Sequence, residues 1–328
     1  MAHELILIKS GKKYNITQLV GNLAWSSSTD EVAEQLTFDY AYNDYSNIKK
    51  YDIVELGDKV VLFNNGKALR RYEVIKMDVN SRVNKSFTCY DYAFFLNNNK
   101  AVIQFKGVAA SDAIRQLCNK VRVKHVIVDM PTKIKQIYKD EVMTTISDIL
   151  DQVKAETGKT YRMEMVDDTL TIKKQTDLLI NPQVRLTDNT PLFDVTSQIS
   201  NPSRSLSIEE MKNKVIVVTS EDNSTKIYSE SSDTDSIKKY GLLTEVVTLD
   251  SKEAAKARNI AKNTLAELNT VKEEVSLDLL GHDDIMAGRL IDVADSISGI
   301  SGRYLIKSAN HTEQNAIHKV SVTLEKVN

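Results

Sequence analysis

Apolar and polar residues alternate along much of this chain, and the character of the alternation shifts as the chain proceeds. From Gln35 to Tyr42, Leu36, Phe38, Tyr40 and Tyr42 stand against Gln35, Thr37, Asp39 and Ala41. A period of two predicts a half-buried strand. Glu4–Ile8 and Lys13–Ile16 flank Ser10-Gly11-Lys12, a hairpin signal. Val60–Phe63 and Arg71–Met77 bracket Asn64-Asn65-Gly66-Lys67, and Asn-Gly is the preferred dipeptide of a tight hairpin. Ser86–Tyr90 follows, then a short helix-like aromatic piece, Tyr92-Ala93-Phe94-Phe95-Leu96, closed by Asn97-Asn98-Asn99. Short strands at this spacing predict a small barrel or sandwich.

Beyond residue 100 the pattern lengthens to helical spacing. Ser111 is placed to cap a helix with Ala113, Ile114, Leu117 and Val121 on one face. Val123–Val128 reads as a strand, ended by Pro131. Thr145–Thr157 reads as a second helix, with Ile146, Ile149, Leu150 and Val153 aligned and Gly158 as its stop. Tyr161–Val166 and Thr169–Lys173 then pair across Asp167-Asp168, which makes this stretch a compact α/β insert. Pro182, Pro191 and Pro202 punctuate the return to strands. Lys214–Thr219 and Thr225–Ser229 predict a hairpin over Glu221-Asp222-Asn223-Ser224, and a polar loop leads to a turn at Ile237–Tyr240. The strongest helix signal runs over about 251–272, with Ala254, Ala257, Ile260, Ala261, Leu265 and Leu268 on one side. Glu274–Leu280, Gly288–Val293, Gly302–Ser308 and Lys319–Glu325 follow as strands.

The two ends of the chain resemble each other. Asp52-Ile53, Gly57-Asp58-Lys59-Val60-Val61, Arg71-Tyr72-Glu73-Val74-Ile75-Lys76 and Lys85-Ser86-Phe87-Thr88 recur in order as Asp284-Ile285, Gly288-Arg289-Leu290-Ile291, Arg303-Tyr304-Leu305-Ile306-Lys307 and Lys319-Val320-Ser321-Val322. Each copy reads as a glycine turn, an alternating strand, a polar loop, a second strand, a charged turn and a third strand. The expected organisation is a first β-rich domain over 1–99, an α/β insert over 100–180 and a second β-rich domain over 181–328 that carries the long helix. The expected class is α+β, mainly β. A β-module used twice in one polypeptide predicts a part of a symmetric object rather than a pocket for chemistry.

Composition narrows the function classes. With 328 residues and 41% hydrophobic side chains the chain can bury two or three cores. A formal charge of −2, from 43 basic and 45 acidic residues, gives no electrostatic reason to expect a specific nucleic-acid partner or an anionic membrane. No stretch is long and apolar enough for stable membrane insertion. The start, Met1-Ala2-His3-Glu4-Leu5-Ile6-Leu7-Ile8-Lys9, does not read as a signal peptide, so assembly in a cytoplasm is expected. Cys89 and Cys118 stand in apolar strand and helix settings and read as buried free thiols, not as a disulfide framework.

Candidate chemistry is sparse. His282-Asp283-Asp284 is the most tempting metal cluster, but three consecutive residues before a glycine turn do not have converging ligand spacing, and a polar turn is the expected reading. His311 and His318 flank a turn at Glu313-Gln314-Asn315 and are placed to meet across strands in a hydrogen-bonding role; His3 and His125 complete the histidines. No Gly-x-Ser-x-Gly elbow exists. The paired acids Asp167-Asp168, Glu209-Glu210 and Glu273-Glu274 are adjacent, which suits a solvated turn rather than an acid/base couple. Gly281, Gly288, Gly299 and Gly302 are turn glycines, and the last pair leads into a strand, unlike a dinucleotide fingerprint. Trp25 with Tyr40, Tyr42, Tyr45 and Tyr51 could be a sugar platform, but core or inter-subunit packing is the stronger reading. No catalytic, cofactor-binding or metal residue is assigned, and an enzyme is not expected.

The run Gly281-His282-Asp283-Asp284-Ile285-Met286-Ala287-Gly288-Arg289-Leu290-Ile291-Asp292-Val293, followed by Gly302-Arg303-Tyr304-Leu305-Ile306-Lys307-Ser308-Ala309-Asn310-His311, resembles the closing motif of phage tail hub proteins. Asp91-Tyr92, Leu96 and Ser207-Ile208-Glu209-Glu210-Met211-Lys212-Asn213-Lys214-Val215 also look like that family. Within it the chain resembles PBSX-type hubs (late control protein D, tail hub family) of contractile tails and phage-tail-like bacteriocins. Met286-Ala287 stands where a proline is common in the family. The resemblance implies a baseplate hub with two similar small antiparallel, tail-tube-like β-barrel domains per subunit. It also implies a homotrimer with pseudo-six-fold symmetry, partnered by a tail tube or tube-initiator protein, a central spike and other baseplate proteins, within a virion or phage-tail-like particle. His311 matches the family histidine and reads as structural. A tail-associated peptidoglycan hydrolase or a cell-surface-binding module is the competing expectation.

Overall fold

The computed structural model describes residues 3–31, 33–42, 52–185, 190–221, 224–314 and 317–327. The chain is mainly β. The first repeat contains β1 (Glu4–Lys9), β2 (Lys12–Asn15), β3 (Val20–Ser28), β4 (Gln35–Ala41), β5 (Lys59–Asn64), β6 (Lys67–Val79) and β7 (Asn84–Tyr90). The β5–β6 turn has Asn65 and Gly66 at φ 51° and 73°, the positive pair that a tight Asn-Gly hairpin requires.

Helix α1 (Ala93–Asn97) follows the first repeat and packs on the insert, which carries α2 (Ala110–Lys120) and α3 (Val142–Thr157), with β8 (Lys124–Ile127), β9 (Tyr161–Val166) and β10 (Thr169–Lys174) in one small sheet, ordered β8-β10-β9. Gly158 ends α3 in the left-handed conformation, as the sequence predicts. Ser111 is not a cap: α2 starts at Ala110, and Ser111 lies buried inside it.

Apart from short two-residue ladders, the later strands are β11 (Leu179–Ile180), β12 (Ser200–Ser207), β13 (Lys214–Glu221), β14 (Ser224–Ser232), β15 (Thr244–Leu249), β16 (Lys272–Leu280), β17 (Leu290–Asp295), β18 (Ile300–Gln314) and β19 (Ile317–Lys326). Strands β13, β14 and β15 form a separate sheet. Helix α4 (Thr234–Tyr240) follows β14, capped by the Asp233 carboxylate, which accepts from the Asp235 and Ser236 N–H groups. Helix α5 (Ala257–Leu268) packs Ala257, Ile260 and Ala261 against Val215 and Val217 of β13. The helix expected over 251–272 is therefore shorter: Ser251–Lys256 is a 3₁₀ turn, and Lys272 already belongs to β16. Strand pairing on both sides of β16 overrides the helix-favouring composition there.

One sheet of 13 strands unites the two repeats, along the path β12-β16-β19-β18-β3-β4-β7-β6-β5-β1-β2, with β17 and β11 attached beside β18. Within it the order β3-β4-β7-β6-β5 recurs as β12-β16-β19-β18-β17. The irregularities recur as well. The β6–β7 ladder slips between Val74 and Lys76, and the β18–β19 ladder slips between Ile306 and Ser308. The β3–β4 ladder slips between Gly21 and Ala24, and β12–β16 between Ser200 and Ser203. Asn22 and Asn201 sit in these last two bulges at φ 48° and 50°, a conformation asparagine tolerates better than most residues.

Two closed barrels are not seen among the described residues. The ladder is open, with β2 at one end and β12 at the other. The sheets bury matching faces nonetheless. Leu36, Phe38, Tyr40, Val60, Leu62, Tyr72, Val74, Phe87 and Cys89 are buried in the first. Val275, Leu277, Leu279, Ile291, Val293, Tyr304, Ile306, Val322 and Leu324 hold the corresponding register positions in the second. Among the described residues no helix is long and apolar enough to cross a membrane.

Candidate functional site: the seam between the repeats

Strand β18 does two jobs. Its first half, Ile300–Leu305, pairs with β17, and its second half, Ser308–Glu313, pairs with Ser28–Leu23 of β3. The change of partner falls at the bulge, where the Thr29 N–H donates to the Lys307 carbonyl at 2.8 Å. This antiparallel ladder is the backbone seam that welds the second repeat to the first.

A polar–aromatic cluster locks the seam. The His3 ring is buried; its Nε2 lies 2.8 Å from Asp283 Oδ1, and its Nδ1 meets a Glu313 carboxylate oxygen. The His3 backbone N–H also donates to both oxygens of Glu313, at 3.1 and 3.0 Å. Asn64 Nδ2, from the end of β5, donates to Asp283 Oδ2 at 2.7 Å. Burial alone would pull His3 down, but the hydrogen bonds to Asp283 and Glu313 outweigh it and hold the imidazole at about 9. His3 is therefore an imidazolium at neutral pH, with both N–H groups donated to carboxylates. Asp283 answers it: its half-buried carboxyl is held at about 2 by His3 and Asn64.

His311 and His318 are neutral partners. His311 Nε2 donates to the Ile285 carbonyl at 2.7 Å, which leaves its Nδ1 to accept from His318 Nε2 at 2.9 Å. Burial, together with the positive charge of His3, lowers His311 to about 4 and His318 to about 3. Trp25 stacks on His311 at 4.9 Å with an interplanar angle of 4°, and its ring centroid is 4.7 Å from that of His3. An indole beside an imidazolium adds a cation–π attraction. Gly281 permits the packing: a Cβ there would fall 2.1 Å from His318 Cγ.

His3, Asp283 and His318 have ligand atoms within 4.8 Å of one another. The 2.8 Å approach of His3 to Asp283 and the engagement of both His3 nitrogens by carboxylates suit an ion-paired imidazolium better than a metal ligand. The His282-Asp283-Asp284 run, expected as a polar turn, divides its side chains. Asp283 turns into the cluster, while His282 Nδ1 accepts from the Asp284 N–H at 3.2 Å in the turn. The predicted meeting of His311 and His318 occurs. His125 is apart, with its Nδ1 3.2 Å from the Val123 carbonyl.

The other candidates are structural. Trp25 and Tyr40 are buried, so neither offers a sugar face. Tyr42 lies under Lys85, whose Nζ is 4.3 Å from the ring and 2.6 Å from Asp52. Tyr45 and Tyr51 lie outside the described residues. Asp167 pairs with Arg71 and Asp168 with Lys124; Glu210 pairs with Lys272, and Glu273 is buried against Tyr304. Cys89 and Cys118 are buried, and burial pushes both thiols up, Cys118 to about 12.

A cavity of about 780 Å³ lies between the first repeat, the insert and the Met286–Gly288 turn. Two of its acids are tied down: Glu34 accepts from Arg70 and from the Tyr72 hydroxyl, and Glu164 accepts from Arg289 Nε at 2.6 Å. Among the described residues that line it there is no histidine or cysteine. Sequence reasoning missed His3, Asp283 and Glu313 as partners, because they lie 280 and 310 positions apart and carry no local signal.

The comparisons fit this architecture. YqbQ of Bacillus subtilis (strain 168) is 26% identical over 286 residues, covering 85% of this chain and 84% of that protein. The 43 kDa tail protein of prophage MuSo2 from Shewanella oneidensis superposes with a TM-score of 0.68 at 12% identity, over 98% of each chain. A tail protein from Neisseria meningitidis MC58 gives 0.68 at 14% identity, over 99% of this chain and 97% of that one. The E. coli c3393 protein, a type VI secretion component described as similar to the T4 tail proteins gp27 and gp5, gives 0.55 at 8% identity, over 94% of this chain and 74% of that one. At these identities the likeness is one of fold. The YQBQ-like family model matches residues 23–325, which is nearly the whole double-sheet architecture, and the chain belongs to that family.

Proposed function

We propose that this chain is the structural baseplate hub of a contractile phage tail or phage-tail-like particle. Three copies form a ring with pseudo-six-fold symmetry, which joins the tail tube, or its initiator, to a central spike. The observation that carries this reading is the repeated strand order, with its repeated bulges, in one polypeptide. Two equivalent halves of the sheet per subunit give a trimer six equivalent faces, the number needed to mate a three-fold object with a six-fold one. The likeness in fold to prophage tail proteins and to a type VI secretion component supports the same place in a particle. On this reading residues 1–99 and 181–328 are the ring-forming parts, and 100–180 is an outer insert. The function is assembly, with neither catalysis nor a cofactor.

Light scattering on the purified chain, alone and mixed with the central spike protein of the same particle, tests the proposal. Three copies per complex is the expected result. An assembled particle containing a copy number other than a multiple of three would overturn it. Cell-wall zymography should be blank.

A further inference from the structure

We propose that the free edge of β6 pairs with β12 of a second copy of this chain, in the register that β18 and β3 use within one copy. The proposal rests on the hub reading and specifies the surface by which the copies join.

The argument runs from the repeat. The second half of β18, past its bulge, pairs with β3. Its counterpart is the end of β6, Lys76–Val79, which also follows a bulge. Among the described residues that segment pairs with β7 on one side and with no strand on the other. The counterpart of β3 is β12, which pairs with β16 alone and ends the sheet. Among the described residues each copy therefore keeps both halves of a second seam, a donor edge and an acceptor edge, without a strand partner. An open strand edge is a template for pairing with another chain. Within one chain the equivalent edges, β18 and β3, are already joined, which supplies a backbone register for the second pair.

Side chains mark the same two edges. Val79 and Val83 are 58% and 54% exposed, and they occupy the register positions of His311 and His318, which lie inside the intrachain seam. On β12 and just after it, Leu206 and Ile208 are 57% and 40% exposed, at the positions of Ser27 and Thr29 along the seam. Four exposed aliphatic residues thus fall where the first seam is covered. Transferring the register Ser308↔Ser28, Ala309↔Ser27, Asn310↔Ser26, His311↔Trp25 gives Lys76↔Ser207, Met77↔Leu206, Asp78↔Ser205 and Val79↔Arg204. The polar cluster of the first seam is replaced by an aliphatic one in the second. That difference distinguishes the contact made within a chain from the contact made between chains.

Paired cysteines test the register in the assembled particle, or in the purified chain bound to its spike. After mild oxidation, Met77→Cys with Leu206→Cys, or Asp78→Cys with Ser205→Cys, should give covalent dimers and trimers on a non-reducing gel. Either single variant should give none, and the shifted pair Met77→Cys with Ser203→Cys should give at least ten-fold less. Cys89 and Cys118 are buried and should stay silent. Leu206→Asp with Val79→Asp should weaken self-association at least ten-fold while circular dichroism stays unchanged. A particle that holds three copies yet yields no in-register cross-link, or yields the shifted one instead, overturns the edge pairing and leaves the hub standing. A copy number incompatible with three overturns both.

Discussion

The Tyr304 hydroxyl donates to the buried Glu273 carboxylate at 2.7 Å, and Tyr72 donates to Glu34 at the equivalent place in the other sheet. In each case a tyrosine on a long strand (β18 or β6) reaches past the intervening strand to an acid at or near the start of the next but one (β16 or β4). Arginine completes both arrangements: Arg204 Nη2 lies 3.0 Å from Glu273, and Arg70 Nε lies 3.3 Å from Glu34. A buried acid retained at both positions acts as a register pin, because slipping either ladder by one residue would strand a charge in an apolar layer.

Tyr304→Phe removes a donor from a buried carboxylate and should cost about 1–3 kcal/mol, read as a lower denaturant midpoint at unchanged slope. Glu273 is held at about 2, first by Arg204 and then by Tyr304, below its usual range near 4.5. Its contribution is therefore present above pH 4.5 and fades as pH falls toward 2. A Tyr304→Phe protein with unchanged stability would show that the pin carries no load.

The His3 cluster predicts a two-sided pH profile for stability. His3 is raised to about 9 from 6.5, so its share, on the order of 3 kcal/mol, is complete below pH 6.5 and lost as pH rises through 9. Asp283, Glu313, His311 and His318 face it in the cluster. The two histidines are lowered to about 4 and 3, so their share is present above pH 6.5 and is lost as pH falls toward those values. Melting temperature should peak near neutrality and fall on both sides. In His3→Gln the alkaline limb should flatten while the acid limb persists; an alkaline limb of undiminished slope in that variant would refute the imidazolium assignment.

How much of this was legible in the sequence depends on how local the signal was. Strand β4 and the β5–β6 hairpin declare themselves, because alternation and Asn-Gly are properties of a few adjacent residues. The correspondence of Arg71-Tyr72 with Arg303-Tyr304 also foretold the shared strand order. Strand β12, Ser-Asn-Pro-Ser-Arg-Ser-Leu-Ser, has no apolar alternation and read only as a proline-marked entry. It is a strand because β16 supplies its hydrogen bonds, a tertiary cause that propensity does not report. The seam cluster was hidden for a similar reason. Asp283 read as part of its own turn, and only the β18–β3 pairing brings it to His3. Barrel closure was expected from strand count and family likeness, but whether a sheet closes depends on the pairing of its edge strands.

Gly281→Ala should disturb the seam without touching any charged group. The added methyl would lie 2.1 Å from His318 Cγ, far inside contact distance, so the imidazole must leave its place against His311. The expected cost is about 1–3 kcal/mol. Pairing it with His318→Ala, which clears the space, should recover part of the loss in a double-mutant cycle; strict additivity would contradict the packing described.

Gly57 and Gly288 offer the sharpest check that the two repeats work alike. They have φ of 83° and 87°, and each N–H donates at 2.8 Å to the carbonyl just before a bulge, Val74 for Gly57 and Ile306 for Gly288. An added Cβ meets nothing within 4 Å at Gly57 and only ordinary contact with Arg162, at 3.9 Å, at Gly288. Alanine at either site therefore pays for backbone strain alone, about 1–2 kcal/mol for a left-handed residue with a side chain. Denaturant unfolding of Gly57→Ala and Gly288→Ala should give losses that agree within about 0.5 kcal/mol, and the double variant should show their sum, because the sites share no partner. A loss at one position with none at the other would mean that the matching hydrogen bonds do not do matching work.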